Sequence, residues 1–158
     1  MKAASLQEIK KELHTLDSEA AQDLCMRLAK YKKENKELLT YLLFEANNEQ
    51  AYIENVKEEL GELFKMVPAT NVYLIKKTLR KILRLTNKQI KYSGIKQTEL
   101  ELRIFFCTKM KEAKIPRISG TVLFNLYQQQ LKKIESSIDK LPEDLQADYE
   151  REKDYILS

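Results

Sequence analysis

Glycine and proline occur only three times each in 158 residues, histidine once and cysteine twice. So few turn formers starve β-hairpins and phosphate-binding loops, and with leucine, lysine and glutamate abundant the balance favours helices over an all-β or dinucleotide-binding fold. The two cysteines lie far apart in apolar settings, Leu24-Cys25-Met26 and Phe105-Phe106-Cys107. Without a CxxC pair or matched spacing they point to neither a disulfide framework nor a zinc site, and both are expected as buried thiols. A long hydrophobic run is missing as well. The most apolar stretch, 38–44, is flanked by charges and falls far short of the ~20 residues of a membrane span. The first thirteen residues alternate charge and leucine like an amphipathic helix, not like an export signal. The expectation is a cytoplasmic chain without membrane contact, folded as a single all-helical domain over 1–158.

Capping residues punctuate the chain. Ser5 with Glu8, Asn47 with Gln50 and Thr98 with Glu101 match the box in which an N-cap side chain and a residue three later satisfy free amides at a helix start. Further starts are expected at Asp17, Asn35, Thr70 or Asn71, Ser119 and Leu141, the last with Pro142 in the first helical position. Stops are expected at Pro68, at Gly94 and at Ile115 before Pro116. About eight helices follow, over 6–15, 18–33, 35–46, 48–66, 71–93, 98–114, 120–139 and 142–156. Short connections imply antiparallel pairs, either a small HEAT-like α-solenoid or an irregular helical bundle. No residue pattern repeats at a fixed period.

In the third expected helix, Leu38, Leu39, Tyr41, Leu42, Leu43, Phe44 and Ala46 spread around most of the circumference, as in a helix covered on more than one side. It is expected to be internal. The fifth carries a main apolar stripe, Val72, Ile75, Leu79, Ile82, Leu83, Thr86 and Ile90, and a thinner one, Leu74, Leu85 and Tyr92. Two stripes imply two packing partners.

Charge is the most informative pattern. No acidic residue lies between Glu62 and Glu99, a segment holding Lys65, Lys76, Lys77, Arg80, Lys81, Arg84, Lys88, Lys91 and Lys96. Through Arg117 the net charge over 63–117 is +11, so the rest of a chain of net charge +4 sums to −7. At 100° per residue, Lys76, Lys77, Arg80, Lys81, Arg84, Lys88 and Lys91 share one side of the fifth helix with Tyr73. Like charges at i, i+4 repel by a few tenths of about 1 kcal/mol per pair. Two explanations are open: the cations are solvated or meet the eight carboxylates of 135–154 within the fold, or they form a face for a polyanion. Lysine and arginine grip phosphate backbones without base-specific motifs, and an acidic protein segment is drawn to the same face. A second cluster, Lys30-Tyr31-Lys32-Lys33 with Lys36, is explained in part by the helix dipole.

Reactive constellations are scarce. His14 stands alone at the end of the first helix, without an ExxH or HExxH arrangement, and a pair with Cys25 needs tertiary contact. Tyr73 and Lys77 match the spacing of the tyrosine and lysine of short-chain dehydrogenases, but the glycine-rich nucleotide loop is missing and the match is accidental. Glu58, Glu59 and Glu62 lie within one turn but lack a second carboxylate helix with a paired histidine. No catalytic residue, metal or cofactor is therefore expected. The sequence points to a non-catalytic interaction or scaffold module whose basic face, Tyr73, Lys76, Lys77, Arg80, Lys81, Arg84, Lys88 and Lys91, meets an acidic protein partner. Sequence-independent nucleic-acid binding through helix 71–93 is the alternative.

Overall fold

A computed structural model describes all 158 residues. It contains nine α-helices, one π-helical turn and no β-strand, so the all-α class is the observed one. They are α1 (Leu6–Leu13), α2 (Ser18–Tyr31), α3 (Lys33–Thr40, running into the π turn Tyr41–Glu45), α4 (Glu49–Lys65), α5 (Val72–Ser93), α6 (Lys96–Glu112), α7 (Val122–Ile138), α8 (Glu143–Asp148) and α9 (Glu150–Leu157). The last expected helix is two, broken at Tyr149. No helix is long and apolar enough to cross a membrane. By its internal packing the chain divides into two units, Met1–Phe44 and Glu45–Ser158.

In the first unit α2 packs on α3, and Asn35, expected to start a helix, instead donates from Nδ2 to the Leu28 carbonyl at 2.8 Å. The Ser5–Glu8 capping box of α1 is formed, with the Glu8 carboxylate accepting the Ser5 amide at 2.8 Å. Hydrogen bonds from the Ser5 hydroxyl and amide hold the Glu8 carboxyl below its ordinary range. No side chain of α1, α2 or α3 is buried. The expectation of an internal third helix is corrected: only Tyr41 is buried there, while Leu38, Leu42, Leu43 and Phe44 are exposed. Cys25, expected in a core, is exposed too. It lines a small apolar cleft with Leu28, Leu38 and Leu42.

The second unit is built around α6, which packs against α4, α5, α7 and α9. Leu100, Leu102, Ile104, Phe106, Cys107 and Met110 are all buried. With the buried Arg103 they span about 200° of the helix, and Phe105 lies half-buried outside that arc, which is why α6 shows no clean apolar stripe. The stripe of α4, Tyr52, Ile53, Val56, Leu60 and Phe64, closes on it, with Phe64 and Phe106 edge to face at 5.4 Å. Of the stripe expected on α5, Ile75, Leu79, Ile82, Thr86 and Ile90 are buried, whereas Val72 at its first turn is exposed. α5 has two partners, α4 and α6, and Gly94 ends it in the left-handed conformation at φ 67°, where glycine carries no Cβ penalty.

Two expected capping boxes are displaced. Asn48, not Asn47, caps α4, accepting the Ala51 amide at 3.1 Å. Thr98 caps nothing: α6 begins at Lys96 without a side-chain cap, and the buried Thr98 hydroxyl donates to Glu49 Oε1 at 2.5 Å. Ser93 Oγ donates to the same oxygen, so one carboxylate ties the start of α4 to the junction of α5 and α6. Thr121 caps α7 in place of Ser119, and Pro142 stands just before α8.

The most consequential departure is Arg103, one of the charges within the +11 of 63–117. It is 5% exposed. Nε and Nη2 hold Glu99 Oε1 at 2.8 and 2.7 Å, and Nη1 donates to Gln130 Oε1 at 2.7 Å and Asn87 Oδ1 at 3.1 Å. One guanidinium thus joins α5, α6 and α7. Truncating one partner of a buried charged network leaves the others unsatisfied. Arg103→Ala is expected to lower unfolding stability by about 2–4 kcal/mol in urea titrations, whereas Arg84→Ala stays within about 0.5 kcal/mol. Equal effects of the two substitutions would contradict the assignment.

Candidate polyanion-binding face

Asn71 starts α5 by accepting the Leu74 amide at 3.1 Å, and burial of Ile75, Leu79, Ile82, Thr86 and Ile90 fixes the helix's rotation. Lys77, Arg80, Lys81, Arg84, Lys88 and Lys91 then fall on the side opposite that stripe, with Lys76 toward its flank. From Lys76 to Lys91 the row is about 22 Å long at 1.5 Å per residue. Lys77, Arg80, Lys81, Arg84 and Lys91 are exposed, Lys76 is half-buried, and Tyr73 is 68% exposed. All eight residues expected at the site are therefore brought to one outward side. Lys88 differs in being half-buried and engaged within the chain.

The other six cations form no ion pair. Ion pairs of the second unit away from α5 are Lys57 with Glu101 at 2.9 Å and with Glu54 at 3.3 Å, Lys65 with Glu62, Arg103 with Glu99 and Lys109 with Glu112. None of the eight carboxylates of 135–154 pairs with α5. The carboxylate-rich α9 packs on α6, where Ile156 is buried and Tyr127 donates its hydroxyl to the Ile156 carbonyl at 2.5 Å. Lys111 donates to the Tyr155 carbonyl and the Ser158 hydroxyl and lies 4.3 Å from the Tyr155 ring centre. The carboxylates of 135–154 thus do not balance Lys76, Lys77, Arg80, Lys81, Arg84 or Lys91 through ion pairs.

Where a lysine is partnered, its chemistry shows it. Burial disfavours the charge on Lys57, but hydrogen bonding and attraction from Glu101 and Glu54 outweigh this and hold its pKa above the ordinary lysine value.

A second group of cations was missed. Lys96, Lys132, Lys133 and Lys140 line a cleft between the start of α6 and the end of α7. The adjacent pair Lys132-Lys133 was a visible signal, but the pairing of α6 with α7 that gathers them is tertiary.

The groups with nucleophilic or ligating potential stay apart. His14 is an exposed C-cap of α1, and Glu58, Glu59 and Glu62 are exposed, with Glu62 turned to Lys65. Burial pushes the Cys107 thiol up to about 12, opposed only by Arg103 and Arg117. Burial likewise raises Tyr127, against which Arg117 lies at 4.9 Å from the ring centre.

No known family, curated protein or solved structure matches the chain.

A thiol held protonated is inert, since the thiolate is the nucleophile. Iodoacetamide at neutral pH is expected to label one thiol, Cys25, on the native chain and both after denaturation, read by intact mass. Because the folded state favours protonated Cys107, its contribution to stability is whole below pH 9.0 and declines as pH rises toward about 12. Rapid native labelling of both thiols would contradict the buried placement.

Proposed function

We propose that the chain is a non-catalytic helical interaction module that presents the cations of α5 to an acidic protein partner. The observation that carries this reading is a row of six cations without intramolecular carboxylates on the solvent side of one helix. Repulsion within such a row is a standing local cost that a polyanion removes. Val72 and Leu74, exposed on either side of Tyr73, favour a protein over a phosphate backbone, because aliphatic side chains give an amphipathic acidic helix something to bury. The fold reading that accompanies it is an irregular bundle centred on α6, since α9 packs on α6 across intervening helices, unlike the nearest-neighbour stacking of a solenoid. The proposed location is the cytoplasm, a reducing compartment suited to the exposed free thiol of Cys25.

Sequence-independent nucleic-acid binding is the second reading. Tyr73, exposed on the cationic side, is the specific feature in its favour, as a ring on which a base stacks.

Fluorescence anisotropy with a labelled polyglutamate peptide and with a labelled single-stranded oligonucleotide, each at low and physiological salt, separates the two. The expected result is salt-sensitive binding of the peptide, weakened about tenfold or more by combined Lys76→Glu, Arg80→Glu and Arg84→Glu. The melting temperature is expected to hold, because no intramolecular partner is stranded. Tighter binding of the oligonucleotide with the same charge dependence establishes the second reading, and unchanged affinity in the reversed variant overturns both.

A further inference from the structure

The second unit gathers its lysines in two ways. Lys57, Lys65 and Lys109 each hold a carboxylate, and the pairs Lys57–Glu54, Lys65–Glu62 and Lys109–Glu112 line the groove of about 720 Å³ between α4 and α6. The smaller cleft between the start of α6 and the end of α7, about 400 Å³, is lined by Lys96, Lys132, Lys133 and Lys140, and none of these four forms an ion pair or hydrogen bond. Its volume lies within the range of small-ligand sites, about 300–1,000 Å³.

The single carboxylate in the cleft does not neutralise the lysines. Glu99 Oε1 accepts from both Nε and Nη2 of the buried Arg103, so its charge is matched from inside the core and the lysines face an uncompensated positive field. Helix electrostatics do not explain the placement of Lys96, Lys132 or Lys133 either. Lys96 is the first residue of α6, the end at which the dipole disfavours a cation, and the last turn of α7 contains no basic residue, so Lys132 and Lys133 lie outside the turn where a cation is favoured. Leu100 and Leu141 supply an apolar wall, which lowers the local dielectric and strengthens charge interactions within the cleft. The exposed Ser136 hydroxyl, also in the lining, has no protein partner and can donate to an anion's oxygen. The Ser137 hydroxyl already donates to the Lys133 carbonyl at 2.8 Å.

We propose that this cleft binds a short phosphate chain, the oligophosphate of a small molecule or of free polyphosphate. Several ammonium groups on two helices and the following loop, with one hydroxyl donor, suit an anion with multiple charged oxygens better than a single carboxylate. The site is separate from the cationic face of α5 and stands whether or not that face binds a protein.

The test is isothermal titration of the full chain with tripolyphosphate and, separately, with orthophosphate, at low and physiological salt. Tripolyphosphate is expected to bind one to one and orthophosphate at least about tenfold more weakly, as fewer charge-assisted hydrogen bonds form. Combined Lys132→Gln and Lys133→Gln, both exposed, is expected to weaken tripolyphosphate about tenfold without moving the melting temperature. Lys96→Gln is expected to weaken it less, and Arg80→Gln with Arg84→Gln not at all. Absence of binding at low salt overturns the proposal. So does an equal loss from the α5 substitutions, which makes the attraction a property of overall charge, or an unchanged affinity in the Lys132 and Lys133 variant. A nucleoside triphosphate binding more tightly than tripolyphosphate, with the same dependence on Lys132 and Lys133, assigns the ligand to the nucleotide source.

Discussion

The buried guanidinium of Arg103 is the constraint on which the arrangement of the second unit depends. Its bonds to Glu99, Asn87 and Gln130 fix how α5 and α7 are placed on α6, because a buried charge tolerates few geometries that leave it fully satisfied. No buried side-chain nitrogen or oxygen lacks a partner. Two surface properties follow. α5 is held with its apolar stripe inward and its cations outward, and Glu99 is drawn to Arg103 and away from balancing the lysines of the α6–α7 cleft.

Packing on α6 also separates the charges of the chain. α9, rich in carboxylates, is tied to α6 and α7 by Ile156, by the hydroxyl of Tyr127 and by Lys111, while on the α4 side Lys57 reaches Glu101 of α6. The compositional dipole, +11 over 63–117 against −7 elsewhere, thus persists in the fold, with Lys76, Lys77, Arg80, Lys81, Arg84 and Lys91 of α5 outside any ion pair. Such a field steers anionic partners and speeds their encounter.

Much of this was legible because α5 is amphipathic: its period of 3.6 residues marks both the buried stripe and the cationic side, and Asn71 and Gly94 mark its ends. α6 was harder to read. Its buried arc is wide and includes the charged Arg103 while Phe105 lies outside it, so Leu100 to Met110 show no clean stripe and do not announce the central element. α3 misled in the opposite way, since apolar residues around a helix record what favours burial and not what covers it, and Leu42, Leu43 and Phe44 stand exposed. Thr98 looked like a cap because its spacing to Glu101 is right, but Glu49, distant in sequence, takes its hydroxyl. Arg103 and the lysine cleft depend in the same way on which helices meet, which local spacing does not encode.

The claim that six of the α5 cations, all but Lys88, have no acidic cover is tested most directly by zero-length carbodiimide cross-linking of the full chain, read by mass spectrometry. The structure predicts links between Lys57 and Glu101 and between Lys109 and Glu112, both within bonding distance. It predicts none joining Lys76, Lys77, Lys81 or Lys91 to a carboxylate of 143–154. Abundant intramolecular links from those α5 lysines to that segment would contradict the account.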